Sequence, residues 1–204
     1  MSKSKNGRHS GLVTAEFYHE ENELVLGAIT DLAVKVITYK KKHGTNVVLL
    51  TGCNAACGTT RTSVNLAIAL SDCGFKTLLI DTDLQAGSNL KNGLSDYIQR
   101  DVAIDDVIME TNLSELYFVP NGTRNMKSAL LLSSDKVVDF ISSVKGRYDY
   151  VVIDSPSLDV SADAFAMFAN VDGIILVCSL NKTTKRQIIN ARNATKPYSD
   201  KYTA

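Results

Sequence analysis

With 204 residues the chain has room for one domain, and its 45% hydrophobic residues suffice for a substantial core. The 22 basic residues cancel the 22 acidic ones, which argues against a broad electrostatic grip on nucleic acid. No apolar stretch approaches the roughly 18–20 residues that span a bilayer, and the polar opening MSKSKNGRHS lacks the apolar core of a signal peptide. The expectation is a cytoplasmic protein that reaches a membrane only when another protein brings it there.

In chain order, residues 1–20 form a polar lead-in. Val25, Ile29, Leu32, Val36 and Ile37 then recur at helical spacing, predicting a helix over residues 21–43 that stops at Gly44. Lys40, Lys41 and Lys42 fall in its last turn, where cations complement the helix dipole. VVLLT (residues 47–51) is a continuous apolar run of strand length, as a strand buried on both faces requires. Helix and strand then alternate. Helical stretches are expected at 62–74, 104–110, 134–145, 162–169 and 183–194, and strands at 77–81, 116–120, 150–154 and 173–179. Such alternation implies an α/β fold: a doubly wound, mainly parallel sheet with helices on both faces. The expected organisation is the lead-in, a single domain over residues 21–194, and a short polar tail over 195–204 carrying Tyr198 and Tyr202.

In such sheets a ligand sits outside the carboxyl ends of the strands, so the chemistry is sought just after Thr51, Asp81, Pro120, Asp154 and Ser179. After the first strand comes TGCNAACGTTRTSVNLA, residues 51–67. A phosphate-binding loop uses glycines to turn backbone N–H groups inward, a lysine for the β- and γ-phosphates, and a Ser or Thr hydroxyl for Mg²⁺. Gly58 precedes the helix and Thr60 can supply the hydroxyl. The lysine position holds Thr59, and Ala56 stands at a loop position that is usually glycine. The second strand ends in Asp81 and Asp83, the fourth in Asp154. One aspartate at a strand end is an ordinary turn or cap residue. Three elements in order, each at a predicted strand tip, point to a site of nucleotide-binding descent, because neighbouring carboxylates can hold Mg²⁺ and accept a proton from a hydroxyl.

Cys53, Cys57, Cys73 and Cys178 form no disulfide framework expected of a cytosolic α/β protein. Cys73 and Cys178, in helix-end and strand contexts, read as small apolar residues. Cys53 and Cys57 share one loop without the His or second cysteine pair of a metal site, which leaves a reactive thiol pair as an alternative.

LLIDTDLQ (residues 78–85) resembles the second Walker motif of the bacterial tyrosine kinases of capsule and exopolysaccharide synthesis. YDYVVIDSPS (148–157) is similar to their Walker B motif, and NLAIAL (65–70) to their phosphate-loop helix. ALLLSS (129–134), Val171-Asp172-Gly173 and Lys182-Thr183-Thr184 resemble further family elements, so the likeness runs from about Val47 to Arg192. It implies a Rossmann-like P-loop NTPase fold related to the ParA and MinD ATPases. It also implies Mg·ATP as cofactor, with Gly58, Thr59, Thr60 and Arg61 at the phosphates. Thr60, Asp81 and Asp154 would serve Mg²⁺, and Asp81 and Asp83 would be the catalytic carboxylates that activate tyrosine. The implied partner is a membrane activator of the polysaccharide co-polymerase type, with a homo-oligomer as a further possibility.

Several departures accompany the likeness. Thr59 removes the loop lysine, and Arg61, two residues further on, points to a different face of a helix. Gln85 replaces a customary arginine. Arg8 is the only arginine before Arg61, so the family's N-terminal ExxRxxR assembly motif is absent. The sequence ends after its last helix, where the family continues with another strand. The leading expectation is a tyrosine-kinase-like protein with weakened or lost autophosphorylation and a regulatory role. The alternatives are an active kinase or ATPase with a variant loop, a ParA- or MinD-like positioning ATPase, and a binding module that takes no nucleotide.

Overall fold

A computed structural model describes residues 13–16, 22–90 and 92–201. Helix α1 (Glu23–His43) begins where the Asn22 side chain accepts from the backbone N–H groups of Leu24 and Val25. It ends at Gly44, whose φ of 73° lets its N–H turn back to the Lys40 carbonyl. Lys40 does more than complement the dipole: its ammonium lies 4.3 Å above the Tyr150 ring and donates to the Asp149 carbonyl.

The strands follow the apolar runs. They are β1 (Val47–Gly52), β2 (Thr77–Asp81), β3 (Met109–Glu110), β4 (Leu116–Val119), β5 (Tyr150–Asp154) and β6 (Gly173–Val177). They join in one sheet of order β3-β4-β2-β5-β1-β6, parallel except where β3 runs against β4. Helix α2 (Thr59–Asp72) carries the chain from β1 across to β2, whereas β5 leads past β1 to β6. These opposed crossovers open a crevice at the carboxyl ends of β1 and β5.

Side-chain alternation explains why the central strands are apolar throughout. Val47 and Leu49 face one layer with Phe140, Leu132 and Met167, while Val48 and Leu50 face the other with Val36, Leu66 and Leu70. α1 and α2 form the second layer. The first is built from α3 (Leu94–Arg100), α5 (Ser128–Leu132), α6 (Asp135–Lys145) and α7 (Asp163–Met167). No helix among the described residues is long and apolar enough to cross a membrane.

Three expectations need correction. The helix read over 104–110 ends after one turn, as α4 (Ile104–Val107). Ile108 then extends, and Met109 and Glu110 pair with Phe118 and Tyr117, because the open edge of β4 offers ladder hydrogen bonds that a continuing helix could not use. The last strand stops at Val177, two residues short of Ser179. Cys73 and Cys178 are exposed, not packed as small apolar residues: one caps the solvent end of α2, and the other follows the edge strand β6.

Helix α8 (Lys185–Thr195) opens on a capping box. Gln187 N–H donates to the Thr184 hydroxyl at 3.3 Å, and Thr184 N–H donates to Gln187 Oε1 at 2.9 Å. Thr184→Ala is expected to cost about 1 kcal/mol, read as a lower thermal midpoint; an unchanged midpoint would show that the box is dispensable.

Beyond α8, Lys196–Lys201 forms a 3₁₀ segment. Tyr198 lies edge-on to Phe168 at 5.3 Å, and the Lys201 ammonium donates to the Phe168 and Ala169 carbonyls at 3.0 Å. Lys201 and Ala169 share a cavity with Thr45 and Asp172, which precede β1 and β6, so Tyr198 sits at the amino end of the sheet. Tyr202 lies outside the described residues, as does most of the lead-in. Of the latter, Val13 bridges to Thr111 beside β3.

Candidate functional site

The loop over residues 53–58 leaves β1 and folds back over its own root. A Cβ on Gly52 would meet Cys57 Sγ at 2.5 Å and Thr59 Oγ1 at 2.9 Å, so a side chain there would force the loop's own side chains to shift. Ala56 adopts φ 56° and Gly58 φ 93°, two left-handed turns just before the N-terminus of α2. Ala56 thus holds a conformation that suits glycine. Ala56→Gly is expected to raise stability by about 0.5–1 kcal/mol, measured by urea unfolding; a loss of stability would mean the methyl group has packing value that outweighs its backbone cost.

Asp81 and Asp154 are direct partners in the register of β2 and β5, so their side chains leave the sheet on the same side. Asp154 is buried, accepts from the Ser63 hydroxyl at 2.9 Å, and is hydrogen bonded by Thr60. Burial pushes its carboxyl up to about 6, against the pull of these two hydroxyls, and the Asp83 charge adds to the rise. Burial also lifts Asp81 to about 7, helped by the charges of Asp154 and Asp83 and opposed by the Asp83 N–H, which donates to Asp81 Oδ1 at 2.8 Å. Asp83 itself accepts from Ala86 N–H at 3.1 Å, which fixes the turn after β2.

A cavity of about 580 Å³ lies at this end of the sheet. Gly58, Thr59, Thr60 and Arg61 all line it, together with Asp83 and Asp154. Asp81 is not on its wall and lies beside Asp154 on the neighbouring strand. Thr59 begins α2 with its hydroxyl 3.4 Å from Cys57 Sγ. Two residues that sequence reasoning missed belong here. Ser63, one helical turn beyond Thr59, is fully buried against Asp154; its spacing on the helix was the available signal. Lys182, from the turn after β6, reaches the wall across the sheet edge; the likeness of Lys182-Thr183-Thr184 to a family element was the available signal. Gln85 donates to Ser128 and Ser161 hydroxyls at 3.0 and 3.3 Å, and Ser128 donates to buried Asp163 at 2.7 Å, so an uncharged side chain tied into a hydrogen-bond network stands in place of the customary arginine.

The AAA domain family model matches residues 46–187, more than half of the chain. The tyrosine-protein kinase CpsD of Streptococcus agalactiae serotype III (strain NEM316) is 31% identical over 166 residues, covering 76% of this chain and 71% of the relative. The chain belongs to the bacterial tyrosine-kinase family of P-loop proteins. The BceF tyrosine kinase domain superposes with a TM-score of 0.80 at 27% identity, over 89% of this chain and 76% of that one. The septum site-determining protein MinD of Pyrococcus horikoshii, solved with Mg-ADP, shares the fold at a TM-score of 0.64 and 22% identity, over 78% and 68% of the two chains. The predicted P-loop fold, mainly parallel sheet and kinase kinship are therefore correct.

The family implies a nucleotide with Mg²⁺, and the residues present fit that group. Ser155 Oγ, on the cavity wall, is buried and finds no partner among the described residues. The donors at Thr60 and Asp154 are hard oxygens suited to Mg²⁺, which keeps several waters and takes only one or two carboxylates.

Proposed function

We propose that the protein is a tyrosine-kinase-like regulator of capsular or exopolysaccharide production whose ATP-dependent tyrosine autophosphorylation is weakened or lost. One observation carries this reading: Asp154 is hydrogen bonded by Thr60 and Ser63, an arrangement that would suit the metal side of the site, while Thr59, at the lysine position, rests against Cys57. Gly58, Thr59, Thr60 and Arg61 would meet phosphates through the N-terminus of α2. Thr60 and Asp154 would hold Mg²⁺, with Asp81 beside Asp154, and bound Mg·ATP would supply the phosphoryl group. Asp83, on the cavity wall, is the carboxylate best placed to take a proton from a tyrosine hydroxyl. Tyr198 packs at the opposite end of the sheet, so any transfer to it must come from a second molecule. Kinship to CpsD supports a membrane co-polymerase-type activator as partner, recruiting a unit of residues 21–194 to the inner face of the membrane.

Lys182 favours a second reading, an active kinase with a variant loop, because it returns a cation to the cavity wall. Calorimetric titration of Mg·ATP into the pure protein, with a turnover assay beside it, separates these. The leading reading expects weak, Mg²⁺-dependent binding that drops several-fold in Lys182→Ala, since a hydrogen bond to a charged group is worth about 1.5–3 kcal/mol and an exposed lysine delivers only part of it. No binding at millimolar Mg·ATP would instead indicate a module that takes no nucleotide. Turnover that is lost on Asp81→Asn would establish the active variant.

A further inference from the structure

We propose that Cys53 and Cys178 form a reversible oxidation site, which closes into a disulfide at the root of the phosphate loop. Their sulfurs lie 3.1 Å apart, against about 2.0 Å in a disulfide, so a movement of roughly 1 Å joins them. The backbone already holds the two residues abreast. Gly52 and Val177 are parallel partners, and Cys53 N–H donates to the Val177 carbonyl at 2.9 Å. Neighbouring strands run about 4.8 Å apart, within the Cα separation of about 4.4–6.8 Å that a disulfide spans. A second tie fastens the same loop to the same turn, from the Thr183 hydroxyl to Asn54 Oδ1 at 2.6 Å.

Access sets the order of events. Cys178 is exposed beyond the edge strand, whereas Cys53 is buried at 3% exposure. Burial, the hydrogen bond with Cys178 and the nearby Cys178 and Cys57 thiols push Cys53 up to about 12, so it does not react first and gives up its proton only in the second step. With a hydroperoxide as oxidant, the Cys178 sulfur attacks one peroxide oxygen, the O–O bond breaks, and the other oxygen leaves as water or an alcohol carrying the Cys178 proton. This gives a sulfenic acid at Cys178. The Cys53 sulfur then attacks the Cys178 sulfur, the S–O bond breaks, and hydroxide leaves with the Cys53 proton as water. Two thiols lose two electrons and the peroxide gains them; exchange with a reduced dithiol reverses the bond. Cys57 is engaged elsewhere, 3.3 Å from the Val177 carbonyl and 3.4 Å from Thr59 Oγ1. Closure pins the first residue of the loop to β6, on the side from which Lys182 reaches the cavity.

The test treats the natural protein with equimolar hydrogen peroxide, alkylates it in denaturant and maps its peptides by mass spectrometry. Of the four free cysteines, two are expected to disappear into one cross-linked peptide joining Cys53 to Cys178, and dithiothreitol should restore both. Cys178→Ser should abolish the link and leave Cys53 open to alkylation, while Cys73→Ser should leave it intact. Four thiols still free, a link from Cys53 to Cys57, an intermolecular link, or sulfinic acid at Cys178 beside a free Cys53 would each overturn the proposal. The readout is sulfur connectivity, so it stands apart from whether the loop binds nucleotide.

Discussion

Thr59→Lys is expected to tighten Mg·ATP binding roughly 10- to 100-fold, the equivalent of one charge-assisted hydrogen bond of about 1.5–3 kcal/mol. The site is otherwise prepared for a lysine. Gly52 and Gly58 give the loop its turn, Ala56 already holds the left-handed conformation, and Thr59 opens α2 on the cavity wall. What is missing is a flexible cation long enough to reach the outer phosphates, where a threonine hydroxyl makes only a short neutral contact. Lys182 and Arg61 also line the cavity. They enter from other directions, and a new cation at position 59 should add to them. The comparison is a calorimetric titration of the natural and Thr59→Lys proteins at one salt concentration, because ionic strength screens the added charge. Equal affinities would place the limit on binding in the shape of the loop and remove the lysine from the account.

In the metal-free protein, Asp81→Asn should raise stability at pH 8 by roughly 2–4 kcal/mol and leave it unchanged near pH 4. Burial, together with the charges of Asp154 and Asp83, lifts Asp81 from its ordinary 3.8 to about 7. Burial lifts Asp154 to about 6. The sign follows from proton counts. Between about pH 4 and pH 7 the folded protein keeps protons that the unfolded chain has released. Stability is therefore greatest at the acid end, falls as pH rises through this window, and levels off above it. An asparagine at position 81 carries no charge to desolvate, so the variant avoids its share of that fall. The two carboxylates titrate as a pair, and the gains from changing both should not add. Urea unfolding at pH 4 and pH 8 reads the effect directly. Added Mg²⁺ should recover more stability in the natural protein than in the variant. A natural protein as stable as Asp81→Asn at pH 8 would show that these carboxylates are better solvated than their burial indicates.

The parts of the fold legible in sequence were those with a local signature. The apolar runs at Val47, Thr77, Tyr150 and Gly173 became β1, β2, β5 and β6, and the spacing of Ile29 and Val36 became the buried face of α1. Helix α3 had no such signature. It is held from a distance: Gly93 passes so close to the turn at Gly122 that a Cβ would lie 2.4 Å from its backbone N, and Asp96 accepts from the Gly93 and Thr123 N–H groups. Strand β3 likewise exists only through its pairing with β4.

The same division governs the site. Thr60, Asp81, Asp83 and Asp154 were readable because each ends a strand or follows one in its own segment. Ser63 meets Asp154 across 91 positions of sequence, and Cys53 meets Cys178 across 125. Lys182 reaches the cavity only because β6 lies beside β1. Sequence spacing carries no record of such meetings, which are set by the order of strands in the sheet.

The most direct test of the central claim is phosphotyrosine formation by the pure natural protein in saturating Mg·ATP, run beside Thr59→Lys. The account predicts little or no phosphotyrosine from the natural protein, and more from the variant. Robust Mg·ATP-dependent phosphorylation by the natural protein would contradict it and make this a working kinase that has dispensed with the loop lysine.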